Sequence, residues 1–166
     1  LSRLLQAVRA VRRSYGSLGA AFTAGLAADD ATVLPALARW VAELKAHGAP
    51  DAHVLPDPAR GGASKRMHLF LRWMVRRDAV DPGGWDRVGP ERLIVPLDVH
   101  MHRMAQRMGA TRRRSADAKT ALEVTDVFRR VRPDDPVRYD FALTRLGIRD
   151  DVEPGGLLDR LYHARP

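Results

Sequence analysis

The sequence predicts an all-α protein, and three observations lead there. Apolar residues recur three and four apart along most of the chain, the spacing that lines one side of a helix. Several of these stretches open on Ser or Asp and close on Gly, the residues that cap helix ends. The one β-branched run, Leu93-Ile94-Val95, is three residues long and meets Pro96, which suits a turn better than a strand.

Taken in order, Leu1, Leu4, Leu5, Val8 and Val11 form one stripe, with Arg3, Arg9, Arg12 and Arg13 outside it, so the first helix should end near Tyr15-Gly16. Ser17 caps a short helix through Ala24, closed by Gly25. Asp29 or Asp30 caps the next, striped by Val33, Leu34, Leu37, Val41 and Leu44 and stopped at Gly48, with Pro35 tolerated in its first turn. Residues 49–62 carry three Pro and paired Gly and read as a structured loop. A helix then runs from Ala63 to Arg77, with Met67, Phe70, Leu71, Met74 and Val75 on one side.

Asp78 to Pro90 is irregular around Trp85. Asp98 caps a helix from Val99 to Met108 that Gly109 ends, and Ser115 precedes another running to Val131. Asp135-Pro136 supplies a cap and a first-turn proline for a helix ending at Gly147, and a short helix at Leu157 to Tyr162 closes the chain. The expectation is a single helical domain over 1–166, with a hairpin loop and Lys-bearing helix at 49–78 and an Asp-capped helix at 98–109. Because the chain opens on Leu rather than Met and already in helical phase, it is expected to continue a longer protein upstream.

Composition narrows the function. The absence of Cys excludes disulfides, thiol catalysis, Cys-ligated zinc and iron-sulfur clusters. No apolar run approaches the ~20 residues that span a bilayer, and no signal peptide is evident. The expectation is therefore a soluble, cytoplasmic protein with no membrane partner. The formal charge is +8, and the excess is concentrated in acid-free stretches at 1–28, 60–77 and 99–116. These form a phosphate-binding surface or decorate solvated helix faces.

Arg outnumbers Lys 25 to 3, which singles out Lys65 on the first turn of its helix. Arg serves better for bidentate phosphate contact, whereas Lys alone can shed its proton and attack carbon as a free amine. The bland alternative is an exposed helix lysine. Gly61 and Gly62 lead into that helix start, where unpaired amides suit a phosphate oxygen. Asp98 at a helix cap is held rigid and ionised by backbone donors, as a residue must be to activate an amine or stabilise a cationic sugar. His100 and His102 lie two apart and so point to different sides of a helix, which argues against a shared metal. Asp140, between Arg138 and Arg145, reads from the residues alone as half of a surface pair with one of them.

The order of hairpin loop, Lys on the following helix and Asp within D-x-H-x-x-R resembles the helix-hairpin-helix superfamily of DNA glycosylases. Leu97, Asp98, Val99, His100 and Arg103 carry the likeness in the second segment. The separation of Lys65 and Asp98, 33 positions, is similar to that in the archaeal 8-oxoguanine glycosylase branch. A closer resemblance is to a bacterial family related to that branch, through Leu55-Pro-Asp-Pro, Ser64-Lys-Arg, the run from Leu69 to Arg76, Ile94 to His100 and Asp135 to Leu143. The chain departs from the superfamily where Pro-Asp-Pro replaces the hairpin's Pro-Gly-x-Gly.

The resemblance implies a helix-hairpin-helix DNA glycosylase-like domain that binds duplex DNA as a monomer and so associates with the nucleoid. It would excise an oxidised purine such as 8-oxoguanine, with Schiff-base lyase chemistry and no metal or organic cofactor. Lys65 and Asp98 would be catalytic, and Asp140 and Phe70 would contact the base. Arg60, Gly61, Gly62, Arg66, His100, Arg103, Arg112, Arg113 and Arg114 would hold DNA. A non-enzymatic duplex-binding module is the rival reading. An RNA-binding helical domain is weaker, since the sequence lacks interleaved surface aromatics.

Overall fold

In the computed structural model, which describes residues 1–51 and 54–148, every regular element is helical. The α-helices are α1 (Ser2–Tyr15), α2 (Leu18–Ala24), α3 (Leu34–Ala46), α4 (Lys65–Val75), α5 (Val99–Arg107), α6 (Ala118–Val131) and α7 (Asp140–Ile148), with 3-10 turns at Pro58–Arg60 and Pro90–Arg92. Among the described residues no helix is long and apolar enough to cross a membrane. The sequence-predicted helix at Leu157 to Tyr162 lies outside the described residues.

Helices α1, α2 and α3 pack on one another through Ala7, Val11, Phe22, Leu37 and Val41, all fully buried. Gly16 ends α1 in a left-handed conformation at φ 81°, and the Ser17 side chain accepts from the Ala20 amide to start α2. From this layer an aromatic cluster reaches toward α4: Trp40 stacks on Phe70, with Phe22 and Trp85 closing edges around them. The segment 93–97 has no regular secondary structure and is buried throughout, including Pro96, and the Val95 amide donates to the Thr125 hydroxyl of α6 at 3.0 Å. Burying side chains such as Leu93, Ile94 and Leu97 stabilises the fold by roughly 1.5–3 kcal/mol each. It also fixes where the chain emerges at Asp98.

Several helix starts differ from the sequence expectation, each for a physical reason. Helix α3 begins at Leu34 after Val33, because Asp30 accepts from the Ala27 amide and pairs with Arg39 at 3.0 Å instead of capping. Asp117, rather than Ser115, caps α6, accepting from the Thr120 amide; the Ser115 carbonyl takes the Thr120 hydroxyl. Helix α7 begins at Asp140, because the Asp135 carboxylate is occupied by the Arg76 guanidinium. Helix α4 begins at Lys65 rather than Ala63, preceded by Ser64 in the left-handed region at φ 44°.

His68 of α4 is 2% exposed, and its Nδ1 has no hydrogen-bond partner. Burial depresses its pKa to about 4 from the ordinary 6.5, so the folded protein holds the ring neutral. Between these values the unfolded chain binds a proton that the fold refuses. Stability should therefore fall as pH drops from 6.5 toward 4, by roughly 3 kcal/mol in all. Comparing urea unfolding of the parent and of His68→Leu across this range isolates the effect; parallel curves would mean the ring is protonated without cost.

Candidate functional site

Lys65 is the first residue of α4 and Asp98 is the N-cap of α5, so two helix starts bring the predicted pair together. The Asp98 carboxylate divides its oxygens: Oδ1 accepts from the Met101 amide at 2.8 Å and Oδ2 from Lys65 Nζ at 2.7 Å. Burial alone would raise the Asp98 pKa. The Lys65 bond, the Met101 amide and the charges of Lys65 and His100 outweigh it and hold the carboxyl below its ordinary range. Asp98 is thus a carboxylate at rest. The Lys65 side chain keeps 41% of its exposure, against 18% for Asp98, so the amine remains reachable.

Lys65 lies on the wall of a cavity of about 230 Å³ between α4 and α7. Drug-sized ligand pockets start at roughly 300 Å³, so this one suits a single small ring system. Leu69, Val80 and Pro96 supply apolar wall, Asp140 and Thr144 supply polar groups, and Trp73 and Phe141 supply aromatic surface. Both aromatics are open to solvent, at 42% and 41% exposure. Phe70, expected to contact a base, faces the other way into the cluster with Trp40 and Trp85. Of the rings that line the cavity, Trp73 is three residues along the same helix and Phe141 is on α7.

Asp140 does line the cavity, and it pairs with neither Arg138 nor Arg145. Its Oδ2 accepts from Arg72 Nη1 at 2.7 Å. Burial raises its pKa to about 6; Arg72 opposes that rise by its charge and hydrogen bond, the Asp98 charge adds to it, and Lys65 opposes it. Behind Asp140 stands a buried charge network that sequence reading missed. Arg72 Nη2 binds Asp81 Oδ2 at 3.1 Å, and the same Asp81 oxygen binds Arg76 Nη1. Arg76 also reaches Asp135 at 3.0 Å and Asp78 at 2.8 Å. A signal existed: Lys65, Leu69, Arg72, Trp73 and Arg76 follow i, i+4, i+7, i+8 and i+11, one stripe that ends in charge rather than in apolar residues.

The residues expected at DNA are spread around this site and are differently engaged. The Gly61 amide is already donated to the Pro58 carbonyl at 3.0 Å, which takes it from the expected phosphate cradle. Its φ of 76° needs glycine, and its carbonyl accepts from the Ala118 amide, fastening the hairpin loop to the start of α6. Gly62 is exposed beside it. Arg60 is exposed and pairs with Asp51. Arg66, His100, Arg103, Arg112 and Arg114 are exposed, on α4, on α5 and on the loop before α6.

Arg113 differs from its neighbours. Its Nε donates to the Thr120 hydroxyl at 2.8 Å and its Nη2 to Asp117 at 2.9 Å, so it braces the α6 cap. Its carbonyl receives Gln106 Nε2 at 2.8 Å and faces His102 Nε2 at 2.9 Å. This fixes His102 as part of the loop's support.

A family model described as "Protein of unknown function (DUF2400)" matches residues 1–149. No curated protein and no solved structure matches the chain.

Proposed function

We propose that this chain, which belongs to the family described as Protein of unknown function (DUF2400), is a base-excision DNA glycosylase with associated lyase chemistry. Its substrate would be an oxidised purine in duplex DNA, and its architecture that of a helix-hairpin-helix glycosylase. The observation that carries this reading is the 2.7 Å Lys65–Asp98 pair, whose lysine lies on the wall of a ring-sized cavity that also holds the Asp140 carboxyl and two open aromatic rings. An amine, a fixed carboxylate and a slot of ring size are the parts that excision of a flipped base requires.

In this scheme the damaged nucleotide leaves the stack and its base enters the slot, flanked by Trp73 and Phe141. Thr144 and the Asp140 oxygen not taken by Arg72 meet its polar edge. Lys65 Nζ passes one proton to Asp98 Oδ2 along their hydrogen bond and attacks the sugar carbon that bears the base. The new bond is N–C to lysine; the bond that breaks is the C–N glycosidic bond, whose electron pair leaves with the base and takes up the proton that Asp98 had received. Asp98, restored to its anionic form, stabilises positive charge on the sugar. Ring opening of the sugar then gives an imine to Lys65, which permits strand cleavage beside the lost base.

The exposed arginines around the site support a phosphate-held complex. Neutralising several phosphates makes log affinity fall with log salt by ~0.9 per phosphate on duplex DNA. Replacing Arg112 and Arg114 together with Ala is expected to reduce that slope by about two such units and leave thermal stability unchanged, since both side chains are exposed. Arg113→Ala should instead destabilise the protein. An unchanged slope in the double variant would place that loop away from the duplex.

The test of the function is to incubate the protein with duplexes that each carry a single lesion and to treat them with borohydride. A trapped protein–DNA adduct on an oxidised-purine duplex is the expected result. Tight duplex binding with no base release from any lesion would replace this reading with that of a non-enzymatic DNA-binding module.

A further inference from the structure

Three carboxylates and two guanidiniums are buried together beside the cavity, whose wall includes Asp140 and Arg72. Asp81 has no exposed side-chain surface, and Asp140, Asp135, Arg72 and Arg76 are 5%, 13%, 3% and 7% exposed. Asp140 alone among the three carboxylates lines the cavity. Asp81 lies on the far side of Arg72, on the 78–82 turn, where the Asp78 carboxylate accepts from the Val80 and Asp81 amides at 2.8 and 2.9 Å. One oxygen of Asp81 touches both guanidiniums, while its Oδ1 and the Arg72 Nε have no partner of their own.

We propose that Asp81 sets the charge state of the cavity carboxyl Asp140: by binding the guanidiniums of Arg72 and Arg76 from behind, it divides their positive charge among three buried carboxylates and leaves Asp140 incompletely compensated. A carboxyl in that condition changes between proton donor and proton acceptor near neutrality. It then accepts from an N–H on a bound ring when ionised and donates to a ring acceptor when protonated. Asp81 is a positioning residue, acting through Arg72 without touching the occupant. Its role in base recognition rests on the glycosylase reading; its effect on Asp140 does not.

Arg72 and Lys65 approach from α4 and Asp98 from the α5 cap, and their charges act on Asp140 in the senses already given. Thr144 lies one turn along α7, with its hydroxyl 3.5 Å from Oδ1. Arg72 and Arg145 approach the Phe141 ring, at 6.0 and 5.5 Å from its centroid. Asp81 adds a full negative charge behind Arg72 and competes with Asp140 for the same guanidinium. Removing that charge while keeping the shape frees Arg72 for Asp140 and relieves repulsion, and both changes favour the ionised Asp140.

The experiment is a carboxyl carbon NMR titration of the ligand-free protein, with the Asp140 signal assigned by its loss in Asp140→Asn. The parent should titrate at about 6, and Asp81→Asn should lower the midpoint by about one unit, a tenfold change in proton affinity. Asp135→Asn, which frees Arg76 to take up Asp81, should shift it in the same direction by less and serves if Asp81→Asn fails to fold. Asp81→Glu should restore the parent value. An unchanged midpoint in the folded variants overturns the proposal; a raised one does so too, since it means Asp81 only holds Arg72 in place. The acid limb of the base-release profile should move with the Asp140 midpoint. If the parent releases no base, the glycosylase reading fails and the titration still decides the role of Asp81.

Discussion

Lys65→Gln is expected to abolish both borohydride trapping and base release while leaving duplex affinity nearly unchanged. The amide keeps a hydrogen bond to Asp98 Oδ2 but has no nucleophilic lone pair on nitrogen, so the step that forms the lysine–sugar bond has no substitute. Binding should survive because Lys65 is one cation among 28 and its charge is already compensated by Asp98. Asp98→Asn separates the roles further. It keeps an oxygen to cap α5, so the helix stays, but it removes the charge that stabilises the sugar cation and the acceptor for the lysine proton; a loss of ~100-fold or more in rate is the usual scale. Single-turnover base release with matched binding measurements checks both variants. Parent-like rates in the two would make the pair a structural tie between α4 and α5.

Arg72→Leu should destabilise the fold by about 3–5 kcal/mol, because it leaves the Asp81 and Asp140 carboxylates buried beside a hydrocarbon side chain. For a chain of this size that corresponds to a drop in Tm of about 10 °C. The loss should be smaller at pH 5 than at pH 8. Asp140 is ordinarily ionised above 3.8 and is raised to about 6 even with Arg72 present; without the guanidinium it rises further, and protonation at low pH removes the uncompensated charge. Adding Asp81→Asn and Asp140→Asn to Arg72→Leu should recover part of the stability, since a buried network replaced as a unit costs less than one broken in the middle. Thermal unfolding at the two pH values checks this; a loss below about 1 kcal/mol would mean that water reaches the network and screens it.

Helix content was legible because the periodicity of apolar residues and the caps are local signals. Ser17, Gly16 and Asp98 act where the sequence places them, since the groups they satisfy lie within four residues. The Lys65–Asp98 pairing came from the resemblance and from two helix starts. Helix starts failed where another partner took the capping group, near or far along the chain. Asp135 reads as a cap until Arg76, 59 positions away, takes its carboxylate, and Asp30 reads as a cap until Arg39 and the Ala27 amide take it.

What the sequence determined alone is therefore an all-α chain with no cysteine chemistry, a concentrated positive charge and a lysine at the start of a helix. Only the tertiary structure decided which aromatic rings face the cavity, since Phe70 and Trp73 are three apart on one helix and their sides are told apart by what packs against them. It also decided that Arg113 is a brace while Arg112 and Arg114 are open, and that Arg72 and Arg76 turn inward onto three carboxylates. The reason is range: caps and periodicity are set by neighbours within one turn, whereas the partner of a buried charge is chosen by whichever opposite charge the fold delivers, at any separation along the chain.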